Sequence, residues 1–154
     1  MKTTLFKIYL VLLSVIMLTG CSYHNGGDTR LWGTWLLEEY SVDSETDSKY
    51  EGNCFWKFQT QVILIQEYYE EFHDWRDHFG TYDVSHEDKL LTLDFTHHDD
   101  NNPQGSEMYT PPAYLGIEAV IAPLEIITLT SKQMILSYES PSGHKYIYRF
   151  KRWM

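Results

Sequence analysis

The sequence predicts an all-β fold, an eight-stranded antiparallel up-and-down barrel, and three observations carry that reading. Aromatic and β-branched residues recur along the chain while helical periodicity is weak. Short runs alternate apolar and polar side chains, as in Leu90-Leu91-Thr92-Leu93-Asp94-Phe95, where Leu91, Leu93 and Phe95 share one face. Turn signals separate these runs, as at Thr60-Gln61, Ser131-Lys132 and Pro141-Ser142-Gly143. A meander with one apolar face per strand closes on itself in water, which buries that face and removes the open edges.

The strands follow in order. The first is Gly33 to Val42, followed by an acidic loop from Asp43 to Ser48. Cys54 to Gln59 and Val62 to Glu70 form a hairpin about Thr60-Gln61. Glu71 to His78 is compatible with a continued strand or a short helix. Phe79 to His86 and Leu90 to Phe95 pair through Glu87-Asp88-Lys89, with Gly80, Tyr82 and Val84 on one face. The segment from Thr96 to Pro123 is too long for a plain loop. Its apolar second half, Ala113 to Ala122, is expected to pack on the barrel rim or to pair as an extra strand. Leu124 to Thr130, Gln133 to Ser140 and His144 to Trp153 complete the set. In the last of these Tyr146, Tyr148 and Phe150 share a face, opposite Arg149 and Lys151.

The N-terminus carries the clearest functional signal. Lys2 and Lys7 give a basic leader before an apolar run from Ile8 to Leu18, and Leu18-Thr19-Gly20-Cys21 follows. The run is short for a membrane span, and small residues precede a cysteine. This stretch resembles a bacterial lipoprotein signal with its lipobox; an ordinary secretory signal or an N-terminal membrane helix is the plainer alternative. The resemblance implies cleavage after Gly20 and lipidation of Cys21, and Ser22 after it implies release to the outer membrane. Acyl chains contribute about 0.8 kcal/mol per buried methylene, so two or three of them hold a protein to a bilayer. The expected organisation is a signal peptide over 1–20, a polar tether over 21–30 and one β-barrel domain over 31–154. The expected address is the cell envelope, on the periplasmic face of the outer membrane.

Charge narrows the partners. The chain carries −10 overall, and Lys2 and Lys7 leave with the leader, so the mature part is more acidic still. Such a chain is repelled by nucleic acid, and no basic patch with interleaved aromatics offsets this. With Cys21 taken by lipid, Cys54 has no partner within the chain. It alternates onto the face of Trp56 and Phe58, where a buried structural thiol is expected.

Leu31-Trp32-Gly33-Thr34-Trp35 opens the first strand, and Tyr148-Arg149-Phe150-Lys151-Arg152-Trp153 closes the last. A Gly-x-Trp at the head of strand one of an eight-stranded meander resembles the lipocalin-like superfamily, in particular lipocalin-like lipoproteins of Gram-negative anaerobes. The resemblance implies that Trp35 plugs the closed end of the barrel beneath an arginine of the last strand, Arg152 by face counting, with Arg149 second. It also implies a binding module rather than an enzyme.

A barrel of this size either fills its interior with side chains or leaves room for one small ligand. The ring-rich inward set leaves both open: the tyrosines line a partly polar pocket at the open end, or they are core with hydroxyls at the rim. The ligand-facing candidates are Trp56, Tyr82, Tyr138 and Tyr148. A second reading makes the barrel a solid scaffold, with Trp75, Tyr109 and Tyr114, beside Pro111 and Pro112, as exposed contacts for an envelope protein. A third uses His97, His98 and nearby carboxylates for metal or catalysis. Adjacent histidines in a polar loop lack an established ligand spacing, and no Gly-x-Ser-x-Gly or His-Glu-x-x-His motif occurs. Glu67, Glu70 and Glu71 read as the wet face and end of a strand. No catalytic residue, metal ligand or cofactor is therefore assigned.

Overall fold

The computed structural model describes residues 29–87, 89–96 and 110–154. Its strands are β1 (Gly33–Val42), β2 (Glu45–Thr46), β3 (Cys54–Gln59), β4 (Val62–Tyr69), β5 (Asp74–Ser85), β6 (Leu90–Asp94), β7 (Ile121–Leu129), β8 (Gln133–Glu139) and β9 (Lys145–Arg152). Eight of them pair antiparallel in the circular order β1-β3-β4-β5-β6-β7-β8-β9, and β9 pairs back onto β1 to close the barrel. The expected up-and-down barrel is thus present. β2 is an addition: Asp43 and Ser44, both at positive φ, turn the chain so that Glu45 and Thr46 pair with Val42 and Ser41.

Closure is helped by two irregularities. The register of β1 against β9 shifts between Leu37 and Glu39, and that of β7 against β8 shifts between Ile126 and Thr128. A bulge inserts a residue and bends its strand. In β1 it lets Trp35, Leu37 and Tyr40 all face inward, although strict alternation would turn Tyr40 out.

The inward rows meet in one core. Trp56, Phe58, Tyr148 and Phe150 are almost wholly buried, and so are Ile63, Ile65, Leu91, Leu93, Met134 and Leu136. Rings touch rings through its middle: Trp56 lies 4.9 Å from Phe150 and 5.9 Å from Tyr148, between centroids. Gly80 faces inward on β5, where a Cβ would meet the Asp94 carbonyl at 2.8 Å and the Phe95 ring at 2.9 Å. Cys54 is buried and unpaired, as its face implied.

The undecided segment before Phe79 is resolved. Glu70–Phe72 is one 3-10 turn, ended by His73 in the left-handed region at φ 50°. The remainder joins β5, which runs twelve residues because β4 offers it partners from Tyr69↔Asp74 to Val62↔Thr81.

One end of the barrel is closed by Trp35. Its indole N–H donates to the Leu31 carbonyl at 2.7 Å, and the Arg152 guanidinium stands 4.8 Å from its ring centre. Arg149, the second choice from face counting, instead pairs with Glu39 on the outer wall. The other end is covered by the chain returning to β7. There the 3-10 turn Ala113–Leu115 drives a fully buried Leu115 into the mouth, with Ile117 behind it. The Tyr148 hydroxyl donates to the Leu115 carbonyl. Gly116, at φ 63°, lies against Tyr146 so closely that a Cβ would sit 2.0 Å from its Cζ. The apolar half of the long segment therefore packs on the rim as expected.

Candidate functional site

Beside this plug the mouth holds an open cleft of about 300 Å³. Each wall is set by local chain geometry. Tyr40 comes from the bulged end of β1, Tyr50 from the loop after β2, Tyr69 and Glu67 from the end of β4, and Tyr114 from the plug turn. Asp47, Lys49, Glu51 and Asn53 form the rim.

Tyr40, Tyr50 and Tyr114 make a triangle with centroid separations of 5.5, 5.6 and 6.0 Å. Hydrogen bonds fix two of its corners. The Tyr50 hydroxyl donates to the Leu37 carbonyl at 3.0 Å and accepts from the Cys54 N–H at 3.1 Å. The Tyr40 hydroxyl donates to Asp47 at 2.5 Å. Burial, then this bond, keeps Tyr40 protonated far above the ordinary tyrosine range, and burial does the same for Tyr50 and Tyr114. The Tyr40 and Lys49 N–H bonds hold the Asp47 carboxyl below its usual range.

Glu67 is the chemical centre of the mouth. Inward alternation after Ile63 and Ile65 places it inside, only 3% exposed. The expectation that it belonged to a wet face is therefore wrong. Val62 to Ile65 is apolar on both faces, which hides the phase of the strand, and the outward row is the one that carries exposed Val62. The Tyr69 hydroxyl donates to Glu67 at 2.9 Å, and His78 Nε2 stands 3.4 Å from the same carboxylate oxygen. Desolvation pulls the Glu67 carboxyl upward, but the His78, Tyr114 and Tyr69 side chains around it outweigh that and hold the group below its usual range. The Tyr114 hydroxyl is buried between Glu67 and the Cys54 thiol without a well-formed hydrogen bond. Burial pushes that thiol up to about 12, so it is no nucleophile. Among the described residues no group of three or more His, Cys, Asp or Glu side chains could hold a metal ion.

A lipocalin-like domain model matches residues 16–152. The chain belongs to the lipocalin-like domain family. Two solved structures share its fold. A lipocalin-like protein from Bacteroides uniformis is 18% identical with a TM-score of 0.57, over 80% of this chain and 99% of that one. An uncharacterized protein from Bacteroides eggerthii is 20% identical with a TM-score of 0.55, over the same shares. No match was found among curated proteins.

In this lipocalin-like barrel the residues proposed from sequence as ligand-facing lie one layer too deep. Trp56 and Tyr148 are fully buried, and Tyr82 and Tyr138 nearly so. Backbone takes the hydroxyls: Tyr82 donates to Thr60, Tyr148 to Leu115, and Tyr138 meets Ala119. They are core rings with tied hydroxyls, and Tyr82 lies toward the closed end beside the Thr60 turn. The proposed partner surface is not gathered into one patch either. Trp75 stands 45% exposed on the outer wall, against Phe55 and Tyr68. Tyr114 is a half-buried member of the mouth triangle, and Pro112 beside it is buried. Tyr109, His97, His98 and Cys21 lie outside the described residues. Sequence reasoning missed Tyr40, Tyr50 and Glu67. The β1 bulge and the phase of β4 decide their positions, and the one available signal was an acidic residue two steps beyond Ile63 and Ile65.

Proposed function

We propose that the protein is a lipid-anchored binding module of the cell envelope, which holds a small ligand at the mouth of its barrel rather than in its interior. The observation that carries this reading is the cleft of about 300 Å³, where tyrosine rings surround a buried carboxylate. Small-molecule sites combine apolar walls with a few placed polar groups, and this cleft has that make-up. The packed rings below and Leu115 above argue against a ligand in the interior, and among the surface clefts the mouth combines rings with a buried carboxylate. Among the described residues the Cys54 thiol is neutral and the Glu67 carboxylate is tied to Tyr69 and His78, which favours binding over chemistry there.

The anchor is Cys21, with the outer membrane, periplasmic face, as the address. Labelling cells with palmitate and fractionating them tests this part: wild-type chain carries label and sediments with membrane, and Cys21→Ala carries none and is released. Retention of the unlabelled variant in membrane overturns it. A thermal-shift screen of small molecules, followed by competition in Tyr50→Ala, tests the cleft. Ligands whose binding survives that substitution unchanged overturn the mouth as the site.

A second reading rests on the outer wall. Trp153, Phe55, Trp75 and Tyr68 touch in series at 5.4, 5.8 and 5.0 Å, which is a ridge of half-exposed rings suited to a protein partner. Cross-linking in intact cells should then return one reproducible partner, lost in Trp75→Ser.

A further inference from the structure

The charge of the cleft points to the class of ligand. We infer that the mouth selects small organic cations, primary or quaternary ammonium groups, which seat against the tyrosine triangle with Glu67 and Asp47 as counter-charges. The inference rests on the reading of the mouth as a ligand site and specifies it.

Three observations support it. First, Glu67 is a buried charge to which no lysine or arginine is salt-bridged among the described residues; Arg76, its cross-strand neighbour, lies over the Tyr69 ring instead. Among the described residues its ion-pair partner is His78 alone. Hydrogen bonds then stabilise the Glu67 charge but do not cancel it, and buried charges favour an opposite partner.

Second, the rings are placed to receive a cation. Tyr40, Tyr50 and Tyr114 line the cleft with centroids 5.5, 5.6 and 6.0 Å apart and Tyr40 edge to face with Tyr50 at 71°, so an ammonium in the cleft lies within cation–π range, roughly 6 Å, of whichever ring turns its face to it. The chain already uses a neighbouring ring in this way: the Arg76 guanidinium stands 4.3 Å from the centre of Tyr69.

Third, the rim adds to the same sign. Asp47, Glu51 and Glu67 line the cleft against Lys49, with Arg76 behind the Tyr69 wall. The hydroxyls of Tyr40, Tyr50 and Tyr114 stay protonated while Asp47 and Glu67 stay ionised, so the cleft is negative at neutral pH. A bare metal ion is a poor alternative, because these carboxylates do not converge on one point with other ligands.

The test compares three probes of one shape: 2-phenylethylammonium, 2-phenylethanol and 3-phenylpropionate, titrated calorimetrically into the full-length chain in neutral detergent micelles at pH 7. The ammonium should bind at least roughly tenfold more tightly than the alcohol, and the carboxylate least. Its affinity should fall with added salt, since half-buried Asp47 and exposed Glu51 on the rim are screened. The double variant Asp47→Asn/Glu51→Gln changes only rim residues. It should weaken the ammonium at least about threefold and leave the alcohol alone. Glu67→Gln should weaken the ammonium further, and the rim variant carries the test if this buried change unfolds the barrel. Equal or tighter binding of the alcohol or the carboxylate in the cleft overturns the choice of cation and leaves the mouth standing as a site. Ammonium binding weaker than about 10 mM, or unchanged in both variants, also overturns it. Failure of all three probes together with a blank ligand screen overturns the site itself.

Discussion

Leu115→Ala is the sharpest test of the barrel as a sealed, filled body. Leu115 is fully buried although it belongs to a three-residue turn rather than a strand. If the turn is a plug seated in the core, truncation removes buried methyl groups and leaves a cavity among packed rings. Substitutions of that kind cost about 2–5 kcal/mol. The Tyr148 bond to the Leu115 backbone survives the change, which holds the turn in place and stops the cavity collapsing; the upper half of that range is expected. With a urea slope of about 2–3 kcal/mol/M, the midpoint should fall by roughly 1–2.5 M at constant slope. Ile127→Ala is the control: Ile127 is 51% exposed on β7, and surface changes fall within about 0.5 kcal/mol. Urea melts of the three proteins, followed by tryptophan fluorescence, decide the matter. A Leu115→Ala loss no larger than that of the control would refute the plug, and with it the claim that ligands are confined to the mouth.

Other outcomes follow from the same contacts. Arg152→Ala should cost about 1–2 kcal/mol, because it removes the cation over Trp35, the cover of its stem and the bond to the Arg30 carbonyl, and thermal unfolding reads the loss. Gly116→Ala should cost about 1–3 kcal/mol or prevent folding, since it combines positive φ with a collision on Tyr146; the midpoint of chemical unfolding measures it. The folded carboxyls of Glu67 and Asp47 lie below their unfolded values, so their contribution is complete above about pH 4.5 and fades as pH falls through the folded values. A scan of melting temperature against pH should show that acid limb, and it should flatten in Glu67→Gln. The mouth tyrosines act in the opposite sense: raised in the fold, they withdraw stability as pH climbs past about 10. Cys54 should react with a thiol reagent only as fast as the barrel opens, which comparison of labelling with and without urea will show.

The strands were legible because alternation and turn residues act locally. Leu91, Leu93 and Phe95 need only their own spacing, and Trp35 and Arg152 meet where counting along β9 places them. Cys54 declared its burial through its neighbours Trp56 and Phe58. The mouth was not legible for the same reason in reverse. Tyr50 sits in a polar loop, and its role appears only when the loop folds its ring onto Tyr40 and Tyr114. Tyr40 is turned inward by a bulge that no local pattern announces. Tyr82 carries the right face, yet a face says nothing about which end of the barrel a ring occupies. Glu67 was hidden by a strand greasy on both sides. What the linear pattern conveys is inside against outside; height along the barrel axis depends on register between distant strands.

The pairing of β1 with β9 also sets an order of events. The first strand of the barrel lacks half its hydrogen-bond partners until β9 has been made. No ring can shut around the core before Arg152 has been made, and non-local closure of this kind is slow. A chain of this design stays open and threadable until its last strand is in place.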